Sequence, residues 1–170
     1  DGGRILLDGQ PVEIADPQKA SRMGISVVYQ EYNLLPKLTV QDNILLGREP
    51  LGPLGRIDRA AARAEVQALA ARMRVDIDPD RYAADLGAAE AKIVEIMKAL
   101  AARVEVLVLG EPTAALPEKE VAALFAVIRS LRESKVTVVY VSHRLEEIFS
   151  IADRVSVLKD GQMVGTWPVA

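Results

Sequence analysis

Hydrophobic positions along this chain follow two alternating rhythms. Ile25–Tyr29, Val104–Leu109 and Thr137–Val141 are apolar runs rich in β-branched residues, which predicts buried strands. Elsewhere the apolar residues recur at i, i+3, i+4, i+7. Val66, Leu69, Ala70 and Met73 form one such stripe, and Ile93, Ile96, Met97 and Leu100 a second. Val121, Leu124, Phe125, Ile128 and Leu131 form a third. Each stripe predicts a helix with one buried face. Asp58 can cap the first, and Pro117 can occupy the first turn of the third.

The remaining punctuation completes the order of elements. Asp8-Gly9 predicts a hairpin between Arg4–Leu7 and Pro11–Ile14. Pro17–Met23 reads as a short helix stopped by Gly24. The stretch Glu31–Gly55 reads as irregular, with Gly47, Pro50, Gly52 and Pro53 close together. After Val141 a short helix is predicted with Leu145, Ile148, Phe149 and Ala152 on one face. Two last strands, Arg154–Leu158 and Gln162–Trp167, flank the turn Asp160-Gly161. The order β-α-β-α-β predicts a parallel sheet with helices on its faces. Two successive helices with no strand between them predict a small helical lobe inserted into that sheet domain. Residues 1–47, 48–102 and 103–170 then form three parts.

Composition narrows the picture only a little. With 170 residues, half of them hydrophobic, the chain is long enough for one core or one core with a small lobe. A net charge of −3 gives no electrostatic footprint for nucleic acid. No apolar run approaches the length of a membrane span. The chain has no cysteine, which excludes disulfides and thiolate metal sites and fits a reducing, cytoplasmic setting. The opening Asp1-Gly2-Gly3-Arg4 is not a signal peptide and reads as a turn within something longer.

Candidate chemistry gathers at strand ends. Gln30 follows the first apolar run, Glu111 follows the second past Gly110, and His143, the single histidine, follows the third past Ser142. In an open parallel sheet the C-terminal edge is where ligands bind. A carboxylate there can orient a water, and a histidine there can hydrogen-bond a phosphate. Each residue alone has a plainer reading. Glu111 would be a surface acid near a helix, His143 a first-turn residue with Ser142 as cap, and Gln30 a solvated strand end. The triplet Leu34-Leu35-Pro36 lies in a polar-flanked loop and reads either as buried or as an exposed docking surface.

The order of these pieces is more specific than any one of them. It resembles the nucleotide-binding subunit of ATP-binding-cassette (ABC) transporters. Gln30 matches that family's Q-loop glutamine, Glu111 its catalytic glutamate, Ala114-Ala115-Leu116-Pro117 its D-loop and His143 its switch histidine. Val27-Val28-Tyr29-Gln30-Glu31, Asn43-Ile44-Leu45-Leu46-Gly47, Ile93-Val94-Glu95-Ile96 and Tyr140–Ile148 are similar in wording to the ATPases of ribose/galactose/xylose-type importers. In that branch two cassettes are fused, and this chain resembles the first. The resemblance implies an α/β, P-loop NTPase-like core, a mostly parallel sheet flanked by helices, with an inserted helical lobe. It implies ATP and Mg²⁺ as ligands, with Gln30 near the metal. It also implies transmembrane permease subunits and a second cassette as partners, at the inner face of the cell membrane, and a sugar-binding protein outside.

Three departures stand beside the resemblance. No Gly-rich phosphate loop with Lys-Ser/Thr occurs in the sequence, and the family places it, with its N-terminal strands, upstream of Asp1. Gly110 stands where the family has the aspartate that helps hold Mg²⁺. The signature segment, which in the family meets the nucleotide of the opposite cassette, reads Leu86-Gly87-Ala88-Ala89-Glu90 in place of Leu-Ser-x-Gly-Gln. Gly87 has no hydroxyl, Ala89 adds a Cβ, and Glu90 brings a negative charge toward phosphate. Hydrolysis by the isolated chain is therefore not expected. In the family fold the strand before the phosphate loop lies between Thr137–Val141 and Arg154–Leu158. Without it, those two strands are expected either to pair directly or to borrow a strand from a second copy.

Overall fold

The computed structural model describes residues 3–31 and 33–169. Tyr32, in the loop after Gln30, and the start of the turn expected at residues 1–4 lie outside the described residues. The chain begins with the hairpin of β1 (Ile5–Leu7) and β2 (Gln10–Val12). Its turn, Asp8-Gly9, has both φ angles positive, as a two-residue hairpin turn that follows the strand twist requires. Helix α1 (Pro17–Arg22) starts where the Asp16 carboxylate accepts the Lys19 N–H at 2.7 Å.

Three strands form the central parallel sheet, in the order β3 (Ile25–Val28), β4 (Val106–Gly110), β5 (Thr137–Val141). Their register sets Val27 beside Val108 and Val108 beside Val139. One face, with Val28, Leu107 and Leu109 buried, packs into the core. The other face leaves Val27, Val139 and Val141 substantially exposed. The apolar runs therefore mark strands correctly, but not burial on both faces.

Between β3 and β4 lies the helical region: α2 (Val40–Ile44), α3 (Arg59–Met73) and α4 (Ala88–Leu100). The predicted stripes on α3 and α4 are buried almost throughout, and with the inner face of α5 (Glu118–Glu133) they join one continuous core cluster. Leu124 and Leu131 of α5 are fully enclosed, and truncating such a leucine costs about 2–5 kcal/mol. Helix α2 falls in the stretch expected to be irregular. Thr39 caps it, accepting the Asp42 N–H at 3.1 Å, and Val40 and Ile44 reach the core. Pro117 sits at the N-cap of α5, one place earlier than expected.

The C-terminal part departs most from expectation. Helix α6 (Leu145–Ile151) buries Ile148, but Leu145 and Phe149 of the expected apolar face are exposed. The strands β6 (Arg154–Lys159) and β7 (Gln162–Pro168) form a separate antiparallel hairpin around Asp160-Gly161. β5 and β6 do not pair, so direct closure of the gap is incorrect. The reason is anchoring. Helix α6 is tied to the sheet domain through Glu147 and Ile148, and the Arg129 guanidinium donates to Ser150 O at 3.3 Å. These side-chain ties hold α6, and with it the start of β6, without a backbone ladder to β5, and the tight turn to β7 satisfies one edge of β6 locally.

Candidate functional site

Parallel pairing brings three strand ends to one edge of the sheet. Val28 lies opposite Leu109, and Gly110 opposite Val141. Gln30, Glu111 and His143 each lie within two residues beyond those strand ends. Just past the ladder, the Glu111 N–H donates to Val141 O at 2.9 Å. Glu111 has φ of 43°, in the left-handed region. For a non-glycine residue this costs about 1–2 kcal/mol. The turn is held on both sides: Val141 O accepts from Glu111, and Glu111 O accepts the Ala114 N–H at 3.2 Å.

This backbone turn brings the two expected chemical groups together. His143 Nδ1 lies 3.3 Å from Glu111 Oε1. Their side chains keep 71% and 35% of their surface in solvent, so the pair faces outward and is open to a ligand. An acid and an imidazole in contact at an accessible sheet edge can hold a water or a hydroxyl and hydrogen-bond an anion.

A buried network lies directly behind the pair, and sequence reasoning missed it. The Thr113 hydroxyl donates to Glu147 Oε1 at 2.7 Å. The Tyr140 and Ser142 hydroxyls each donate to Glu147 Oε2 at 2.8 Å. The Arg144 guanidinium lies 2.9 Å from Oε1. Glu147 is only 4% exposed. Burial alone would raise its carboxyl, but the three hydroxyls and the Arg144 charge outweigh burial and hold it below the usual carboxylate range. Burial, with Glu147 beside it, pushes the Tyr140 phenol well above its ordinary value. The Tyr140 ring also packs edge-on against Phe125, with centroids 6.3 Å apart.

Gln30 sits on a loop pinned from beneath. Lys92 Nζ donates to Tyr29 O at 2.9 Å and to Gln30 O at 3.4 Å, and lies 2.7 Å from Glu95 Oε2. The other Glu95 oxygen accepts the Asn33 N–H. Lys92 and Glu95 side chains are 2% and 6% exposed. The Gln30 residue itself is exposed.

The segment Gly87-Ala88-Ala89-Glu90 forms the start of α4, with Gly87 at the N-cap. Glu90 turns back to accept the Gly87 N–H at 2.9 Å. Arg81 grips Glu90 with two N–H bonds, at 2.7 and 2.8 Å. The Arg81 bond leads the causes that hold the Glu90 carboxyl below its usual range. The Ala89 N–H donates to Glu120 at 3.3 Å. The charge expected to meet phosphate is thus already paired within the chain. Glu111 and His143 are brought together, whereas Gly87 is held by Glu90, Glu90 by Arg81 and Ala89 by Glu120.

The residues present do not make a magnesium site. Among the described residues no three histidine or acidic side chains converge. Hard cations of this kind take oxygen ligands, and Gly110 supplies none. A Cβ built at Gly110 would lie 3.7 Å from Val28 O, an ordinary contact, so the position has room for a side chain that glycine does not provide.

Residues 1–114 match the ABC transporter family. The chain belongs to that family. It is 51% identical, over 97% of its length, to the ribose import ATP-binding protein RbsA 1 of Rubrobacter xylanophilus. It is 48% identical, over 99% of its length, to RbsA 2 of Streptomyces avermitilis. It spans 33% and 34% of these two ABC relatives. Among solved structures it resembles the ADP conformation of MJ1267, an ATP-binding cassette of an ABC transporter. The TM-score is 0.84 at 22% identity, over 99% of this chain and 70% of that one. The ABC cassette fold accounts for the parallel sheet flanked by helices.

Proposed function

We propose that this chain is part of the ATP-binding subunit of an ABC importer for a ribose-type monosaccharide, working at the cytoplasmic face of a membrane. The observation that carries this reading is identity of about one half, along nearly the whole chain, with ribose import ATP-binding proteins. Among the described residues no helix is long and apolar enough to cross a membrane. In this reading transmembrane permease subunits are the partners. In this reading ATP is the substrate of the complete subunit. Glu111 holds and polarises the attacking water, and His143 donates to a terminal phosphate oxygen. Gln30, on its pinned loop, reports ligand at the same edge. Gly87–Glu90 faces a second cassette.

Permease docking is assigned to the loop 31–38 and the cleft of about 290 Å³ that adjoins it, lined by Tyr29, Asn33, Leu46, Arg48 and Lys98 among others. The loop backbone is braced by Asn43, whose carbonyl accepts the Leu35 N–H at 2.7 Å and whose amide donates to Leu35 O at 3.0 Å. The Leu35 residue remains 47% exposed. A charge at Leu35 therefore alters the surface without disturbing the brace. We expect Leu35→Asp to fold cooperatively and to lose co-purification with a ribose-type permease. Retained co-purification would refute the docking assignment, and unfolding would show Leu35 to be core. A second reading, a permease-docking module without catalysis, is favoured by Gly110. It shares the docking result and differs in requiring no nucleotide turnover.

A further inference from the structure

We propose that Glu147 is a positioning residue for Glu111 and His143, a clamp that ties the loop after β4 to the loop after β5 and thereby sets the contact between the two side chains. The proposal rests on the reading that these two residues act together.

The geometry of the clamp is specific. Thr113, two residues after Glu111, donates to Oε1 at 2.7 Å. Ser142, immediately before His143, donates to Oε2 at 2.8 Å. Arg144, immediately after His143, lies 2.9 Å from Oε1. Tyr140, within β5, donates to Oε2 at 2.8 Å. One carboxylate therefore holds residues on both sides of His143 and the turn that follows Glu111. The Ser142 hydroxyl also accepts the Arg144 N–H at 3.0 Å, which closes the His143 loop on itself.

Glu111 and His143 carry no comparable support of their own. The His143 side chain is largely in solvent, the Glu111 side chain is 35% exposed, and each meets the other at 3.3 Å. A side chain that reaches into water is placed by the loop that carries it. All four partners of Glu147 are donors, so the site is matched to a carboxylate. A glutamine of the same shape would turn its NH₂ toward two of those donors. An apolar residue could anchor α6, but it could not hold both loops by hydrogen bonds.

The chain has a single histidine, so its ring signals in NMR report on His143 without assignment ambiguity. The experiment reads the contact itself in the full 170-residue chain, as nuclear Overhauser cross-peaks between the His143 ring protons and the Glu111 side-chain protons. We expect these cross-peaks in wild type, where the two side chains meet at 3.3 Å, and their loss in Glu147→Gln, because the two loops are no longer held together. Cross-peaks of equal intensity in Glu147→Gln would overturn the proposal, as would their absence in wild type. If Glu147→Gln does not fold, Thr113→Val carries the test, since it removes the link to the Glu111 loop. The cross-peaks should then weaken by at least half, and undiminished cross-peaks overturn the proposal. Loss of melting temperature alone would accompany any structural role, whereas the contact reads position. No nucleotide is used, so failure here is distinguishable from failure of the importer reading.

Discussion

A buried glutamate that stays ionised must be surrounded by donors, and Glu147 is. That arrangement makes stability depend on pH with a definite sign. Its folded pKa lies below the ordinary value of 4.5, so the unfolded chain takes up the proton more readily. The contribution is complete above the ordinary carboxylate range and is lost as pH falls through that range toward the folded pKa. We expect the urea midpoint of wild type to fall more steeply between pH 6 and 3 than that of Glu147→Gln. Parallel acid limbs would contradict this. That Glu111 and His143 come to one sheet edge was legible in the sequence, because each follows an apolar run that reads as a strand. Glu147 was not, because in Leu145–Phe149 an acidic residue reads as the solvated face of a short helix. Its partners Thr113, Tyr140 and Ser142 stand at no spacing that marks a network.

At the scale of elements, the stripes of α3, α4 and α5 were read correctly, and the enclosure of two charged residues on α4 was not foreseen. Ile93, Ile96, Met97 and Leu100 predicted the buried face of α4, yet Lys92 and Glu95 on the same helix are as deeply enclosed. A lysine and a glutamate three apart ordinarily form a surface pair worth a few tenths of a kcal/mol. Here they hold Tyr29 O, Gln30 O and the Asn33 N–H, so α4 and the glutamine loop form one braced unit. Removing one partner leaves the other charge buried and uncompensated. Lys92→Met should therefore destabilise by about 3–5 kcal/mol, and the double change Lys92→Met with Glu95→Leu by less. Chemical denaturation checks both, and a single-mutant loss under 1 kcal/mol would show the pair to be solvated. Helix α2 escaped the sequence reading because five residues are too few to show a period. Its order comes from the Thr39 cap and from Asn43, whose side chain bonds Leu35, Leu38 and Thr39.

Across the whole molecule, one face of the central sheet is a packed core and the other presents valines to solvent. Among the described residues β5 has no partner on its outer edge, and β6 pairs with β7 in a hairpin of its own. Such edges recruit further strands. The other expected route is a strand from a second copy, and for the isolated 170 residues light scattering should then show an average mass that rises with concentration. Val139→Lys, on the exposed face of β5, should suppress that rise without loss of stability. A constant monomer mass at high concentration would exclude strand borrowing. The parallel order of the sheet was legible because β3, β4 and β5 are separated by helices. The split at β6 was not, since nothing local in Arg154–Leu158 distinguishes a sheet strand from a hairpin strand. The central claim is that these 170 residues carry the cassette scaffold and the Glu111–His143 edge, with no Gly-rich phosphate loop in their own sequence and no cluster of acidic or histidine side chains for a metal among the described residues. Calorimetric titration of the chain with Mg-ATP tests it most directly. The account predicts binding no tighter than about 1 mM, near −4 kcal/mol, unchanged by Gly110→Asp. Micromolar binding by the wild-type chain would contradict it.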